Sequence, residues 1–219
     1  MNALSLRCFA VLVNAPAIPI HPTMAARELS PQAWDRMVSA VEKVRRRLLR
    51  ATQALEQAEV PYAVAGSSAV AARIREVDES ATRNTPDIDI LLRRADLERA
   101  KDALTTAGFS YRNSQSGELF LDSPDAKARD AVRIIFAGEK VREDHTLAAP
   151  DVEESTATSI ARVLSVEALV NMSLTSFRLD DRVDLRDMID VGLVDQSWVD
   201  RLPKELSSRL QQLLDTPEG

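Results

Sequence analysis

The segment Thr85-Pro-Asp-Ile-Asp-Ile-Leu-Leu92 constrains this chain more than any other. It alternates with period two, so Ile88 and Ile90 face one side and Asp87 and Asp89 the other. Two carboxylates two residues apart on a strand stand roughly 6–7 Å apart at Cβ and repel each other. A fold keeps such a pair mostly where a hard cation neutralises it or where the strand edge is solvated. Mg²⁺ suits the first case, because it prefers oxygen ligands and takes one or two carboxylates together with substrate phosphates.

A second feature precedes it. Tyr62-Ala-Val-Ala65 reads as a short apolar strand, Gly66-Ser67-Ser68 as a turn, and Ala69 to Ile74 as a helix. A Gly-Ser turn at a helix start offers backbone N–H groups, hydroxyls and the positive end of the helix dipole to a phosphate. Taken alone it also reads as a simple cap. The order of strand, Gly-Ser, helix, loop and Asp-x-Asp strand describes a site for moving a nucleotidyl group.

The other segments frame these two. Ser30-Pro31 is an N-cap with proline at the first helical position. Trp34, Met37, Val41, Val44, Leu48, Leu49, Ala54 and Leu55 then recur at helical spacing to about Glu59. Arg75 to Asn84 is expected as a polar loop. Ala95 to Ala107 reads as an amphipathic helix closed by Gly108. Strands are expected at 109–112, 118–121 and 131–136, followed by a charged loop containing Pro150. From Ser165 the pattern is helical, over 166–177, 183–194, 197–202 and 205–214. The fold class is therefore α+β (α/β-like), a mixed β-sheet flanked by helices with a C-terminal helical segment. Its expected division is a leader over 1–29, a core over 30–164 and helices over 165–219.

Val64-Ala-Gly-Ser-Ser-Ala-Val70 and Asn84-Thr-Pro-Asp-Ile-Asp-Ile-Leu91 resemble the signature of the DNA polymerase β-like nucleotidyltransferase superfamily. The likeness is strongest to its small bacterial members, minimal or antitoxin-like. It runs from about Tyr62 to Val194, since Asp184-Leu-Arg-Asp-Met-Ile-Asp190 resembles their C-terminal Arg/Asp-rich helix. The resemblance implies a nucleotidyltransferase fold, Asp87 and Asp89 as catalytic and Mg²⁺- or Mn²⁺-binding groups, and Gly66, Ser67 and Ser68 at the nucleotide phosphates. It also implies an NTP as donor and a hydroxyl acceptor on RNA, protein or a small molecule.

Two departures qualify that reading. The superfamily carries a third acid on a following strand, and here that strand reads Val132-Arg133-Ile134. Arginine stays charged and can neither bind Mg²⁺ nor accept a proton. Arg133 is expected to pair with Asp87 or Asp89 in a metal-free site, or else to contact a phosphate. Asp130, of opposite parity, would need a bulge to join the acids. The gap between Ser67 and Asp87 is also long. An alternative function is therefore a degenerate domain acting as a nucleotide-binding, antitoxin-like or regulatory module with a partner protein.

Lesser candidates are expected to be solvated: His145, the rim cations Lys127, Arg129, Lys140 and Arg142, and a salt-bridged helix surface made by Arg178, Arg182 and Arg186 with neighbouring aspartates. Arg186 and Asp187 keep a minor claim on the nucleotide. With 28 Lys+Arg against 34 Asp+Glu, a formal net charge of −6 argues against a non-specific nucleic-acid binder. The single Cys8 allows no internal disulfide or cysteine-rich zinc site. Residues 4–13 faintly resemble a signal peptide, but the apolar run is short and interrupted by Arg7. A leader, or a true start at Met24, fits better. No run is long enough for a membrane span, and the cytoplasm is the expected location.

Overall fold

A computed structural model describes residues 30–114, 117–127 and 130–216. The leader with Cys8, His21 and Met24 lies outside the described residues, as do Ser116 and Arg129. Ser30 caps α1 (Pro31–Gln57), its hydroxyl accepting from Ala33 N–H at 3.3 Å, with Pro31 in the first turn as expected. Pro61 follows, and the chain enters β1 (Tyr62–Ala65), then α2 (Gly66–Val77), β2 (Ile88–Leu92) and α3 (Leu97–Thr106). Gly108 takes φ +88° just past α3, the left-handed conformation that a side chain would resist. The hairpin β3 (Ser110–Ser114) and β4 (Gly117–Leu121) leads to β5 (Ala131–Phe136).

Two short strands come next, β6 (Ser155–Ala157) and β7 (Arg162–Leu164), before α4 (Val166–Ser176), α5 (Leu179–Asp190) and α6 (Lys204–Asp215). Together the strands form one mixed sheet in the order β3-β4-β5-β2-β1-β7-β6. Its two parallel pairs are β2–β5 and β1–β7, and the rest are antiparallel. The expected mixed sheet flanked by helices, with helices at the C-terminal end, is what the chain forms.

Central β1 and β2 are buried at every position, which is why β1 reads as an apolar run; in β2 the burial extends to Asp89. Ile88, Ile90, Leu91 and Leu92 sit in one continuous core with Leu55, Leu104, Phe120, Leu169 and Leu185. Among the described residues no helix is long and apolar enough to cross a membrane.

Four expectations change. Gly66-Ser67-Ser68 is the first turn of α2 itself, and α2 runs to Val77, so the loop beside the site is shorter than the sequence suggested. β2 starts at Ile88, leaving Asp87 just outside the strand. The helix expected at 183–194 is instead α5 at 179–190. It begins earlier because Asp181 accepts from Arg178 N–H (2.9 Å) and Ser176 Oγ–H (2.6 Å) at its N-terminus. Finally, β6 and β7 fall inside a stretch read as loop, since three residues are too few to show alternation.

The β6–β7 ribbon is tied to the body by Arg73 of α2, 8% exposed. Its guanidinium donates to Val163 O (2.6 Å), Leu164 O (2.9 Å) and Thr156 Oγ1 (2.8 Å). Replacing it with Met keeps the stem but removes donors to buried carbonyls. Arg73→Met is expected to lower unfolding free energy by about 2–3 kcal/mol in urea titrations, the scale for hydrogen bonds from a charged donor.

Candidate functional site

Strand register builds the site. Ala65 of β1 lies opposite Asp89 of β2, Asp89 opposite Arg133 of β5, and Arg133 opposite Leu119 of β4. One row across four strands thus sets Asp89 between the end of β1 and the Arg133 side chain. Gly66 follows Ala65 with φ +61°, and a Cβ there would lie 2.5 Å from Asp89 Oδ2. Only glycine permits this close approach of turn and carboxylate.

Asp89 is 7% exposed and meets Arg133 in a two-point fork, Nε to Oδ1 at 2.7 Å and Nη2 to Oδ2 at 2.8 Å. Planar guanidinium and planar carboxylate match in this way, so both oxygens are engaged. Burial pushes the Asp89 carboxyl above the usual carboxylate range, and Arg133 opposes that push. Arg133 in turn is held more firmly protonated by Asp89. Asp87 is exposed, and its charge is felt at both members of the pair.

The serines point elsewhere than to a ligand. Ser68 Oγ–H donates to Asp87 O at 2.6 Å, fastening α2 to the residue before β2. Ser67 Oγ–H donates to Asp184 Oδ2 at 2.6 Å. Asp184, 3% exposed on α5, also accepts from Arg83 Nη2 at 2.5 Å, while Arg83 Nε reaches Asp187 at 3.0 Å. The acids expected to pair along their own helix surface therefore bind a loop arginine instead. Asp184 was missed as a buried group. The signal for it was spacing: it lies four residues before Met188 and next to Leu185, on the apolar face of α5.

Asp130 does not join the acids. It contacts Arg47 of α1 at 3.5 Å. His145 is buried rather than solvated, and burial pulls its pKa down.

A cavity of about 710 Å³ opens from Gly66, Asp89 and Arg133 toward α4 and the loop after β5. That loop is closed at its base by Gly138 N–H to Ala149 O (3.0 Å) and Ala149 N–H to Glu139 O (2.8 Å). Phe136, Leu147, Leu169 and Met172 give the cavity an apolar wall. Arg94, Arg133, Lys140, Arg142 and Arg178 give it cations. Its acids are all provided with donors: Asp89 by Arg133, Glu139 by Arg94 (2.6 Å twice), Glu118 by Tyr111 and Asn113, and Asp181 by Ser176. Lys140 and Arg178 have no ion pair among the described residues.

As arranged, these residues do not fit a divalent metal. Both oxygens of Asp89 are engaged by Arg133 while the fork is closed, Arg133 stands where a third acid would, and Asp87 is a single ligand. Among the described residues no cluster of three His, Cys, Asp or Glu side chains comes together to hold a metal ion.

No family model matches the chain, and no curated protein matches it at a significant level. Among solved structures, that of the antibiotic-resistance factor ANT(2'')-Ia in solution aligns over 84% of this chain and 85% of its own, at 15% identity and a TM-score of 0.41. The crystal structure of ANT(2'')-Ia with adenylyl-2''-tobramycin aligns over 78% of this chain and 95% of its own, at 15% identity and a TM-score of 0.39. A candidate nucleotidyltransferase from Helicobacter pylori aligns over 87% of this chain and 80% of its own, at 18% identity and a TM-score of 0.44. These likenesses, all below 20% identity and below a TM-score of 0.5, transfer no residue's role to this chain.

Two outcomes test the electrostatics. Arg133→Met leaves a buried carboxylate without its partner, at a cost of about 1–3 kcal/mol near neutral pH. The deficit should shrink toward pH 4, where Asp89 can take up a proton; chemical denaturation at both pH values reads this. Burial raises the Asp184 carboxyl from 3.8 to about 6 despite Ser67 and Arg83. Between those values the native chain holds a proton that the unfolded chain has lost, so this group makes stability fall as pH rises through that window. Asp184→Asn should remove the fall, and the melting temperature of the variant should gain on the wild type from pH 4 to pH 7.

Proposed function

We propose that this chain is a nucleotidyltransferase-type domain that binds a nucleotide without a divalent ion and serves as a binding or regulatory module rather than a transferase. The observation that carries the reading is the closed fork between Arg133 and Asp89. A transferase of this kind uses clustered carboxylates to hold cations at the reacting phosphate. Here a fixed guanidinium stands among the site's carboxylates, and the charge it supplies needs no metal.

The cavity supports a nucleotide as occupant. Its volume lies within the 300–1,000 Å³ span of small-molecule sites, and it combines an apolar wall with cations at Lys140, Arg142 and Arg178. An apolar wall suits a base, and Lys140 and Arg178, without an ion pair among the described residues, suit phosphates, while Arg142 also has Asp144 at 3.5 Å. The overall negative charge of the chain is offset locally, since Asp89 and Glu139 of the lining are paired with Arg133 and Arg94.

One observation favours the second reading, an NTP-dependent transferase using Mg²⁺ or Mn²⁺ and a hydroxyl acceptor. Asp87 is exposed beside the Asp89–Gly66 contact, so opening the fork would bring two acids and the α2 N-terminus together. Calorimetry with ATP and GTP in chelator separates the two. Binding is expected without metal, little changed by Mg²⁺, and weakened about tenfold (~1.4 kcal/mol) in the double variant Lys140→Ala/Arg178→Ala. Both residues are exposed, so the fold should stand. Mg²⁺-dependent transfer of label from NTP to any acceptor, lost in Asp87→Asn, would establish the transferase instead.

A further inference from the structure

From Pro31 to Lys43 every residue of α1 except Ala33 is exposed, so the helix projects from the body for most of its first four turns. Isolated helices of about 12–15 residues are marginal in water, which gives this projecting half a reason to be covered. Its side chains are not those of a solvated arm. Trp34 is 55% exposed, Met37 50%, Val38 58% and Val41 36%.

The apolar positions Trp34, Met37, Val41, Val44, Leu48, Ala51 and Leu55 follow a strict three-four spacing, the a/d seam of a coiled coil. The C-terminal part of that seam already packs on the chain's own core, where Ala51 and Leu55 are fully buried. Among the described residues only its outer half lacks a partner. At the junction lies a small cavity of about 130 Å³ lined by Val44, Leu48, Ala72 and Ile160, continuous with the seam.

We infer that the outer half of α1 is a dimerisation surface for a second copy of this chain, with the two helices antiparallel about a dyad near Ser39. The chain's own body occupies the seam from Leu48 onward, so a parallel partner would collide with it. An antiparallel partner places its body at the opposite end. In that register Met37 layers against the second copy's Val41, and Trp34 against the second copy's Val44, at the mouth of the small cavity. An aromatic anchor at a pocket is the usual form of an interface hot spot. The residues flanking the seam at the dyad are Val38 and Ala40, which meet their own copies without like-charge contact. Arg45 is carried toward the second copy's Asp35. The contact is self-complementary, as a two-fold interface requires.

About 20 Å of paired helix (Pro31–Val44 at 1.5 Å per residue) makes a small interface. Sedimentation velocity of the full chain should therefore show a monomer–dimer equilibrium over roughly 1–100 μM, as fits an interface below the ~1,600 Å² standard. Trp34→Asp should be monomeric throughout with unchanged far-UV circular dichroism. In a Cys8→Ala background, Val38→Cys should give a disulfide-linked dimer under mild oxidation. A wild-type chain that stays monomeric overturns the inference. So does a dimer that survives Trp34→Asp, or one that Val38→Cys fails to cross-link. A dimer that forms only after residues 1–29 are removed also overturns it, and would assign the seam to the chain's own leader.

Discussion

A carboxylate taken out of water needs a partner, and at Asp89 that need organises the centre of the molecule. The residue is fixed in the middle of the sheet by pairing on both sides, to β1 and to β5. Parallel pairing with β5 puts Arg133 level with it, and the guanidinium closes on both oxygens. Gly66 can come within contact of the same carboxylate only because it has no side chain. The ion pair and the missing methyl group thereby join α2, β2 and β5 at one point, beside the Ser68–Asp87 hydrogen bond and the β2–β5 ladder. Asp89 is the buried member of the pair and Arg133 is 44% exposed, so the cost of breaking it falls on the carboxylate left without a partner. The pair's presence in a central row points to a role in the cleft it borders.

Under the proposed function, the same reasoning separates this cleft from a metal-dependent one. A divalent ion and an arginine are alternative solutions to clustered negative charge. The ion is exchangeable and can polarise a reacting oxygen. The guanidinium is permanent, strongly basic and acts as a donor only. Arg133 offsets the charge of Asp89, and under the proposed function an anion would meet Lys140 and Arg178 beside the apolar wall of Phe136, Leu147 and Met172. The Ser67–Asp184–Arg83 network serves a different end, tying the start of α2 and the loop before β2 to α5. Hydroxyls that looked available for phosphate are turned inward to hold the helices around the cleft.

Much of the local structure was legible because it follows from spacing and from residues with narrow conformational choices. Ser30-Pro31 started α1 and Gly108 ended α3. The apolar runs at 62–65 and 131–136 became strands with the boundaries expected. Errors arose where the signal was short or shared. β6 and β7 have three residues each, below the length at which alternation shows. The Gly-Ser segment read as a turn is helical, since a positive-φ glycine can open a helix as readily as it can make a turn. His145 and Asp184 read as surface groups because their segments are charged, yet packing against the cleft and against α2 buries both.

By itself the sequence determined the element types, the mixed α+β class, the order of Gly66, helix and Asp89 strand, and the absence of an acid at position 133. These depend on periodicity and residue chemistry, which are local properties of the chain. Only the tertiary structure decided that Arg133 closes on Asp89 rather than Asp87, that Asp184 rather than a ligand takes the Ser67 hydroxyl, and that the seam of α1 is half covered and half bare. Each of these depends on which strands and helices become neighbours. Strand register and helix docking are fixed by contacts between residues about 40 to 120 positions apart, and no local pattern encodes them.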